Sequence, residues 1–252
     1  MENARSRADR LYYRSMGDGP PIVLLHGYAS SSKVNWQGTG WATLLSEHGR
    51  RVVMPDLRGH GNSPKSRDPD DYHPQRMAQD ILAVMDEVDP GPWELMGYSM
   101  GSWVGGHLVG TYPERFACAV LGGIGDQMTS LGRNRESIAQ AMLAPTIESI
   151  RDPVRREMRR FAQQLKNDLP SLAACIRGAY PPVHLPLERA DLPILFVVAE
   201  NDGVVGRPTN LSRQAPRSEV AVVAGEDHLT AMMSPNYKRR VLEFLQRCTL
   251  SV

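Results

Sequence analysis

Trp93-Glu94-Leu95-Met96-Gly97-Tyr98-Ser99-Met100-Gly101 is the stretch that decides how this 252-residue chain is read. An apolar run ends in G-x-S-x-G, and the segment 100–112 that follows can form a helix. Strand, tight turn and helix in that order hold the middle serine on a sharp, strained corner. Glycine two places to either side lets neighbouring backbone approach more closely than a side chain would allow. The Ser99 hydroxyl is then expected above the strand end, at a helix N-terminus where backbone amides favour negative charge. The bare motif arises by chance; its weight comes from the strand before it and the helix after it.

Outward from that corner, short apolar runs bounded by turn residues recur. They are PIVLLHG (21–27), RVVMPDL (51–57), FACAVLGGIG (116–125), PILFVVAEND (193–202) and SEVAVVAGEDH (218–228). Runs without alternation suit strands buried on both faces, as in a parallel sheet. Between them, Met77, Ile81, Leu82, Met85 and Val88 share one helical face after Pro74, and 36–48 and 235–247 also read as helices. Strand alternating with helix predicts the α/β class, a doubly wound, mostly parallel sheet with right-handed crossovers. From Asp126 to Ala190 the alternation lapses. Val154, Met158, Phe161 and Leu165 there are spaced as an amphipathic helix after Pro153, and prolines at 170, 181, 182 and 186 punctuate the rest. The expectation is a small helical cap, 126–190, inserted after the strand near 116–125. It covers a core made of 1–125 and 191–252, the whole being one structural domain with a lid.

Composition narrows the function classes. Hydrophobic residues at 41% and charged residues at 23% describe an ordinary globular chain, not a disordered one. Lys+Arg 29 against Asp+Glu 28 leaves a net charge of +1, which calls for neither nucleic acid nor an acidic membrane as partner. Cys118, Cys175 and Cys248 lie far apart with no metal spacing, which argues against a disulfide framework and a zinc site and for a reducing compartment. No apolar signal segment opens the chain, and the stretch 20–32 is too short and too rich in Gly, Pro and Ser to span a bilayer. A cytoplasmic protein is expected. No phosphate loop, H-E-x-x-H motif or histidine cluster occurs, so no cofactor and no metal are expected.

A serine hydroxyl needs a base, and the base needs an acid to hold its tautomer. In an open α/β sheet such groups sit at the carboxyl ends of strands. His228 follows the last run and Asp202 the one before it, giving the order Ser99, Asp202, His228. Glu200 competes for the acid position from two residues earlier, Asp126 from the exit of 116–125, while Asp227 reads as a solvated charge. Negative charge developing on a carbonyl oxygen also needs amide donors. Met100, directly after Ser99, supplies one, and Tyr28 in the loop His26-Gly27-Tyr28-Ala29-Ser30 is the natural second. His26 reads as a side chain bracing that loop. Gly122, Gly123 and Gly125 read as close packing beside the corner, and Trp36, Trp41 and Trp103 as core rather than pocket.

The loop 26–28, the stretch Asp56-Leu57-Arg58-Gly59-His60-Gly61-Asn62-Ser63 and Gly97–Gly101 together resemble the α/β-hydrolase superfamily, in its serine-nucleophile branch of esterase, lactonase and peroxidase-like proteins. The resemblance covers nearly the whole chain outside its first dozen residues and the cap. It implies Ser99 as nucleophile, Asp202 as acid, His228 as base, and Tyr28 and Met100 as oxyanion amides. It places 56–63 in a structural loop near the site. Ser102 departs from relatives that carry a second glycine there, a difference of helix packing. Relatives that open epoxides or remove halogens carry aspartate at the corner, so serine disfavours those reactions.

The implied activity is hydrolysis of small, soluble carboxylic esters through an acyl-enzyme. Lactone or carbon–carbon bond hydrolysis uses the same residues and stays open, as does a non-catalytic ligand-binding protein on this fold. A lipase is disfavoured, because 126–190 carries ten Lys/Arg and seven Asp/Glu where a lid for oil would be apolar. Arg151, Arg155, Arg156, Arg159 and Arg160 read either as a solvated face or as one guanidinium leaning over Ser99 to clamp an anion. Oligomeric state is not legible in the sequence.

Overall fold

The computed structural model describes residues 3–4, 10–180 and 184–249; Pro181 and Pro182 lie outside the described residues. Among these, eight strands form one sheet: β1 (Asn3–Ala4), β2 (Tyr13–Met16), β3 (Pro21–Leu25), β4 (Arg51–Pro55), β5 (Trp93–Tyr98), β6 (Phe116–Gly122), β7 (Ile194–Ala199) and β8 (Ser218–Val223). Their order in space is β1-β2-β4-β3-β5-β6-β7-β8. From β4 to β8 the neighbours are parallel, and β1 and β2 add an antiparallel edge. The helices are α1 (Trp41–Glu47), α2 (Pro74–Val88), α3 (Met100–Thr111), α4 (Met128–Leu143), α5 (Pro153–Gln164), α6 (Leu169–Gly178), α7 (Thr209–Gln214) and α8 (Pro235–Thr249). No helix among the described residues is long and apolar enough to cross a membrane.

The pleat of the strands divides the core in two, because successive side chains point to opposite faces. Ile22 and Leu24 of β3 join Trp36, Trp41, Leu45 and, from α8, Tyr237, Val241 and Leu245. Val23 and Leu25 join Met77 and Ile81 of α2 and Trp103 and Leu108 of α3. Met142 of α4 and Leu172 and Ile176 of α6 belong to that second cluster, so the helices between β6 and β7 pack onto the same apolar body. The doubly wound sheet expected from the apolar runs is the observed one.

Four local readings change. β2 was not foreseen, because Tyr13-Arg14-Ser15-Met16 has no apolar run; it is a half-buried strand held by pairing with β4. β8 reads as buried on both faces but is the sheet edge, with Val220 46% and Val222 47% exposed. The segment 36–48 is not one helix: a π-helical turn at Lys33–Gln37 ends at Gly38, and α1 begins only after Gly40, which turns the chain at φ 78°. In α5 only half of the expected apolar stripe faces inward: Met158 packs against the core and Leu165 is half-buried. Val154 and Phe161 are exposed, and Arg159 and Ala162 are buried instead.

One buried ion pair ties the sheet across β3. Arg50, before β4, grips Glu94 of β5 with two hydrogen bonds, Nε to Oε2 at 2.5 Å and Nη2 to Oε1 at 3.1 Å. Both side chains are buried. Removing one member strips a desolvated charge of its bidentate partner, which typically costs about 3–5 kcal/mol, whereas replacing both by apolar groups is far milder. Arg50→Met is therefore expected to lower the unfolding free energy by that amount in urea titration, and Arg50→Met/Glu94→Met to restore most of it. Losses that simply add would show that the pair does not act as a unit.

Candidate active site

The corner after β5 is built from backbone contacts. A Cβ at position 101 would lie 1.9 Å from the Leu25 carbonyl oxygen, and one at 97 would lie 2.6 Å from the backbone of Gly101. Only glycine fits at either place, and the fit draws the start of α3 onto the ends of β3 and β5. Between them Ser99 sits at φ 53°, ψ −115°, a conformation that residues with a Cβ rarely adopt. Its N–H donates to the Gly122 carbonyl at 2.9 Å, so β6 holds the strained residue in place.

The structure brings Ser99, His228 and Asp202 together. His228 Nδ1 lies 2.7 Å from Asp202 Oδ2, and His228 Nε2 lies 3.1 Å from Ser99 Oγ. A carboxylate accepts only, so Nδ1 carries a proton; in the neutral ring Nε2 is then the acceptor for the Ser99 hydroxyl. The other oxygen of Asp202 accepts from the amides of Val204 and Val205 at 3.0 and 3.1 Å. Burial opposes ionisation of Asp202, but the His228 bond and charge together with those two amides hold its carboxyl below the usual value. It stays an anion. The competing acids are engaged elsewhere. Glu200 accepts from the Gly225 amide, and Asp126 receives the first amides of α7 at Asn210 and Leu211. Asp227 is exposed and braces its own turn through Leu229 and Thr230.

His228 is seated by a residue that sequence reasoning missed. Tyr98 Oη donates to the His228 carbonyl at 2.5 Å, and the two rings lie 5.5 Å apart. Burial first, then the charges of Asp202 and Asp227, raise the Tyr98 phenol, so it remains a donor. Tyr98 occupies a free position of G-x-S-x-G and carries no signal there. Gly123, at φ 57°, makes room for both rings: a Cβ would lie 2.9 Å from Tyr98 Cζ and 3.2 Å from His228 Cε1.

Gly27 packs directly on Ser99; a Cβ there would lie 3.5 Å from Ser99 Cβ. The loop beyond it is fixed by two histidines. His26 Nδ1 donates to the Gly27 carbonyl at 2.8 Å, and its Nε2 accepts from the Leu57 amide at 2.9 Å. His60 Nε2 accepts from the Ala29 amide at 3.1 Å, while its Nδ1 donates to the Arg58 carbonyl at 3.0 Å. Amides only donate, so each ring has its proton on Nδ1 and is neutral. In a planar trans peptide, pinning the Gly27 carbonyl toward His26 turns the Tyr28 N–H the opposite way. The amides around it are committed, Gly27 to Asn35 Oδ1, Ala29 to His60 and Ser30 to the Gly27 carbonyl. Among the described residues, the Tyr28 and Met100 amides donate to no protein acceptor. They are the two that the sequence singled out as oxyanion donors.

Four of the five arginines weighed for a clamp over Ser99 already have protein partners. Arg155 pairs with Asp152, Arg160 with Glu157, and Arg156 donates to the Ile150 carbonyl. Arg159, the buried one, donates to the carbonyls of Ala141, Met142 and Ala144 and so closes the C-terminal end of α4. Arg151 is exposed. Trp36, Trp41 and Trp103 are fully buried core residues. Among the described residues, no group of three His, Cys, Asp or Glu side chains could hold a metal ion.

Comparison with known proteins agrees with this architecture. A family model described as alpha/beta hydrolase fold matches residues 20–148. The putative 2-succinyl-6-hydroxy-2,4-cyclohexadiene-1-carboxylate synthase of Bacillus subtilis (strain 168) is 25% identical, over 94% of this chain and 96% of that protein. Among solved structures, a protein from a study of carboxylesterases of Nitrososphaera gargenis superposes with TM-score 0.79 at 18% identity, covering 100% of both chains. An esterase from Thermogutta terrifontis gives TM-score 0.73 at 22% identity, over 94% of this chain and 93% of its own.

The neutral histidines predict an acid-labile loop. Burial, then the neighbouring His26, push His60 from 6.5 down to about 3. The unfolded chain takes up this proton first, so the stability is complete above about pH 6.5 and is lost as pH falls toward 3. Between pH 6.5 and 5 the loss is about 2 kcal/mol for this one group. In urea titrations the stability gap between the parent chain and His60→Gln should narrow by that amount over this interval. A gap that does not change with pH would contradict the neutral assignment.

Proposed function

The chain belongs to the α/β-hydrolase fold family and is an enzyme of that family, and on that premise we propose that it hydrolyses small, soluble carboxylic esters through an acyl-enzyme on Ser99. The observation that carries this reading is the continuous chain of hydrogen bonds Ser99 Oγ–His228–Asp202, at 3.1 and 2.7 Å. Ser99 Oγ attacks the ester carbonyl while His228 Nε2 takes its proton. The carbonyl oxygen becomes an anion and accepts from the amides of Tyr28 and Met100. The tetrahedral species collapses, His228 returns the proton to the departing alcohol, and the acyl group stays on Ser99. Water then attacks this ester with His228 again as base, releasing the acid and restoring the serine. Asp202 keeps the histidine in the one tautomer that can do this and stabilises its cation. Residues 126–190 act as the cap, and what they leave open beside Ser99 selects the acyl group.

A second reading is favoured by one observation. A relative that matches along nearly its whole length is named a putative 2-succinyl-6-hydroxy-2,4-cyclohexadiene-1-carboxylate synthase, not an esterase. The same three residues then act on a carbon–carbon bond or a lactone, with His228 still the base.

Ser99→Ala should abolish turnover of a nitrophenyl ester, with a loss on the order of 10³-fold or more, while leaving circular dichroism and unfolding unchanged. Asp202→Asn should cost on the order of 10⁴-fold in kcat by favouring the wrong tautomer. Near-parental turnover in folded Ser99→Ala would overturn the nucleophile. A mild Asp202→Asn beside a crippling Asp126→Asn would overturn the acid. A parent chain that shows no ester turnover, yet becomes covalently labelled at Ser99 by an aryl phosphonate, would favour the second reading.

A further inference from the structure

The loop that carries the Tyr28 amide is gripped from two sides. On the core side His26, His60 and Asn35 hold Gly27 and Ala29, as described above. On the other side two hydrogen bonds arrive from the helices between β6 and β7. Asn167 Nδ2 donates to the Ala29 carbonyl at 2.8 Å, and Tyr28 Oη donates to the Leu172 carbonyl of α6 at 2.9 Å. These partners are 138 and 144 residues apart in the chain. Ala29 sits at φ 58°, a left-handed conformation that disfavours any residue with a Cβ by roughly 1–2 kcal/mol. Such a residue keeps its place only where its surroundings hold it. Here both its polar groups are committed, the N–H inward to His60 and the C=O outward to Asn167.

Asn167 is itself a fixed point. It closes the turn that ends α5, with the Lys166 amide donating to Gln163 at 2.9 Å and the Asn167 amide to Ala162 at 3.0 Å. This pair of bonds is the helix-ending arrangement that normally has glycine in the left-handed place; here Lys166 occupies it at φ 54°. Immediately after, Asp168 Oδ1 accepts from the Ser171 amide and starts α6. The carboxamide of residue 167 is therefore presented from a turn locked between two helices.

We propose that Asn167 is a positioning residue for the oxyanion amide of Tyr28. Its carboxamide holds the strained Ala29 turn, and that turn aims the Tyr28 N–H at the carbonyl oxygen of a substrate on Ser99. The inference rests on the acyl-transfer reading above. The Tyr28 hydroxyl, through Leu172, is the second strut of the same brace. The helices over the sheet do more than cover the site: a shift of the α5–α6 turn is transmitted to one of the two oxyanion donors.

The test uses an aryl ester and the matched thionoester, in which C=S replaces C=O. The sulfur anion formed in the second case accepts hydrogen bonds poorly, so it gains little from a well-aimed amide. Asn167→Asp keeps the size of the side chain and removes the donor. Its kcat/KM for the ester should fall about 10- to 100-fold, as for a donor misplaced rather than deleted. The loss should lie in kcat with KM little changed, the thionoester should lose no more than a few-fold, and the thermal midpoint should stay near the parent's. Tyr28→Phe, which keeps the amide and loses the strut, should move the same ratio in the same direction, and it carries the test if Asn167→Asp does not fold. Equal losses for ester and thionoester in the folded variants, or ester rates within twofold of the parent, would overturn the proposal. A parent chain that neither hydrolyses the ester nor reacts with a phosphonate at Ser99 would instead overturn the acyl-transfer reading beneath it.

Discussion

Everything at this site depends on how closely two pieces of backbone meet. Gly101, in the first turn of α3, lies so near the Leu25 carbonyl that a single added carbon would overlap it at 1.9 Å. That approach brings the end of β3 against the corner after β5. One contact therefore fixes Ser99 in its strained conformation and sets the loop of Tyr28 beside it. The sheet register serves the same end: Leu25 pairs with Gly97, and Tyr98 with Gly122. Strain at Ser99 and at Ala29 persists because hydrogen bonds from β6, His60 and Asn167 hold both residues.

The charges of the site follow a consistent rule. The neutral groups, His26 and His60, are buried, and burial outweighs any charge that would raise them. The charged group, Asp202, is buried but receives two amides and the His228 ring. Burial pushes its pKa up, and hydrogen bonding to the charged form outweighs that push. Farther away, Asp56 accepts the amides of Ser32 and Asn62 and so joins the loop after β3 to the loop after β4.

Much of this was legible in the chain. The parallel strands show as continuous apolar runs because both their faces are covered, and Ser99, Asp202 and His228 show because each follows such a run. What the sequence hides is which neighbour covers a given face. The edge position of β8 leaves Val220 and Val222 half exposed although the run looks like core. The outward turn of Val154 and Phe161 follows from Arg159, whose guanidinium closes α4 and takes the inward place on α5. The bonds from Tyr98 to His228 and from Asn167 to Ala29 join residues far apart in sequence, at positions that no local pattern marks.

The central claim is that Ser99 is the nucleophile and that the amides of Tyr28 and Met100 receive the oxyanion. A crystal structure of the chain after reaction with an aryl phosphonate tests it most directly, since the tetrahedral phosphorus imitates the acyl-transfer intermediate. The account predicts phosphorus bonded to Ser99 Oγ, with its anionic oxygen about 2.7–3.1 Å from both amide nitrogens. An adduct on another residue, or an oxygen turned away from both amides, would contradict it.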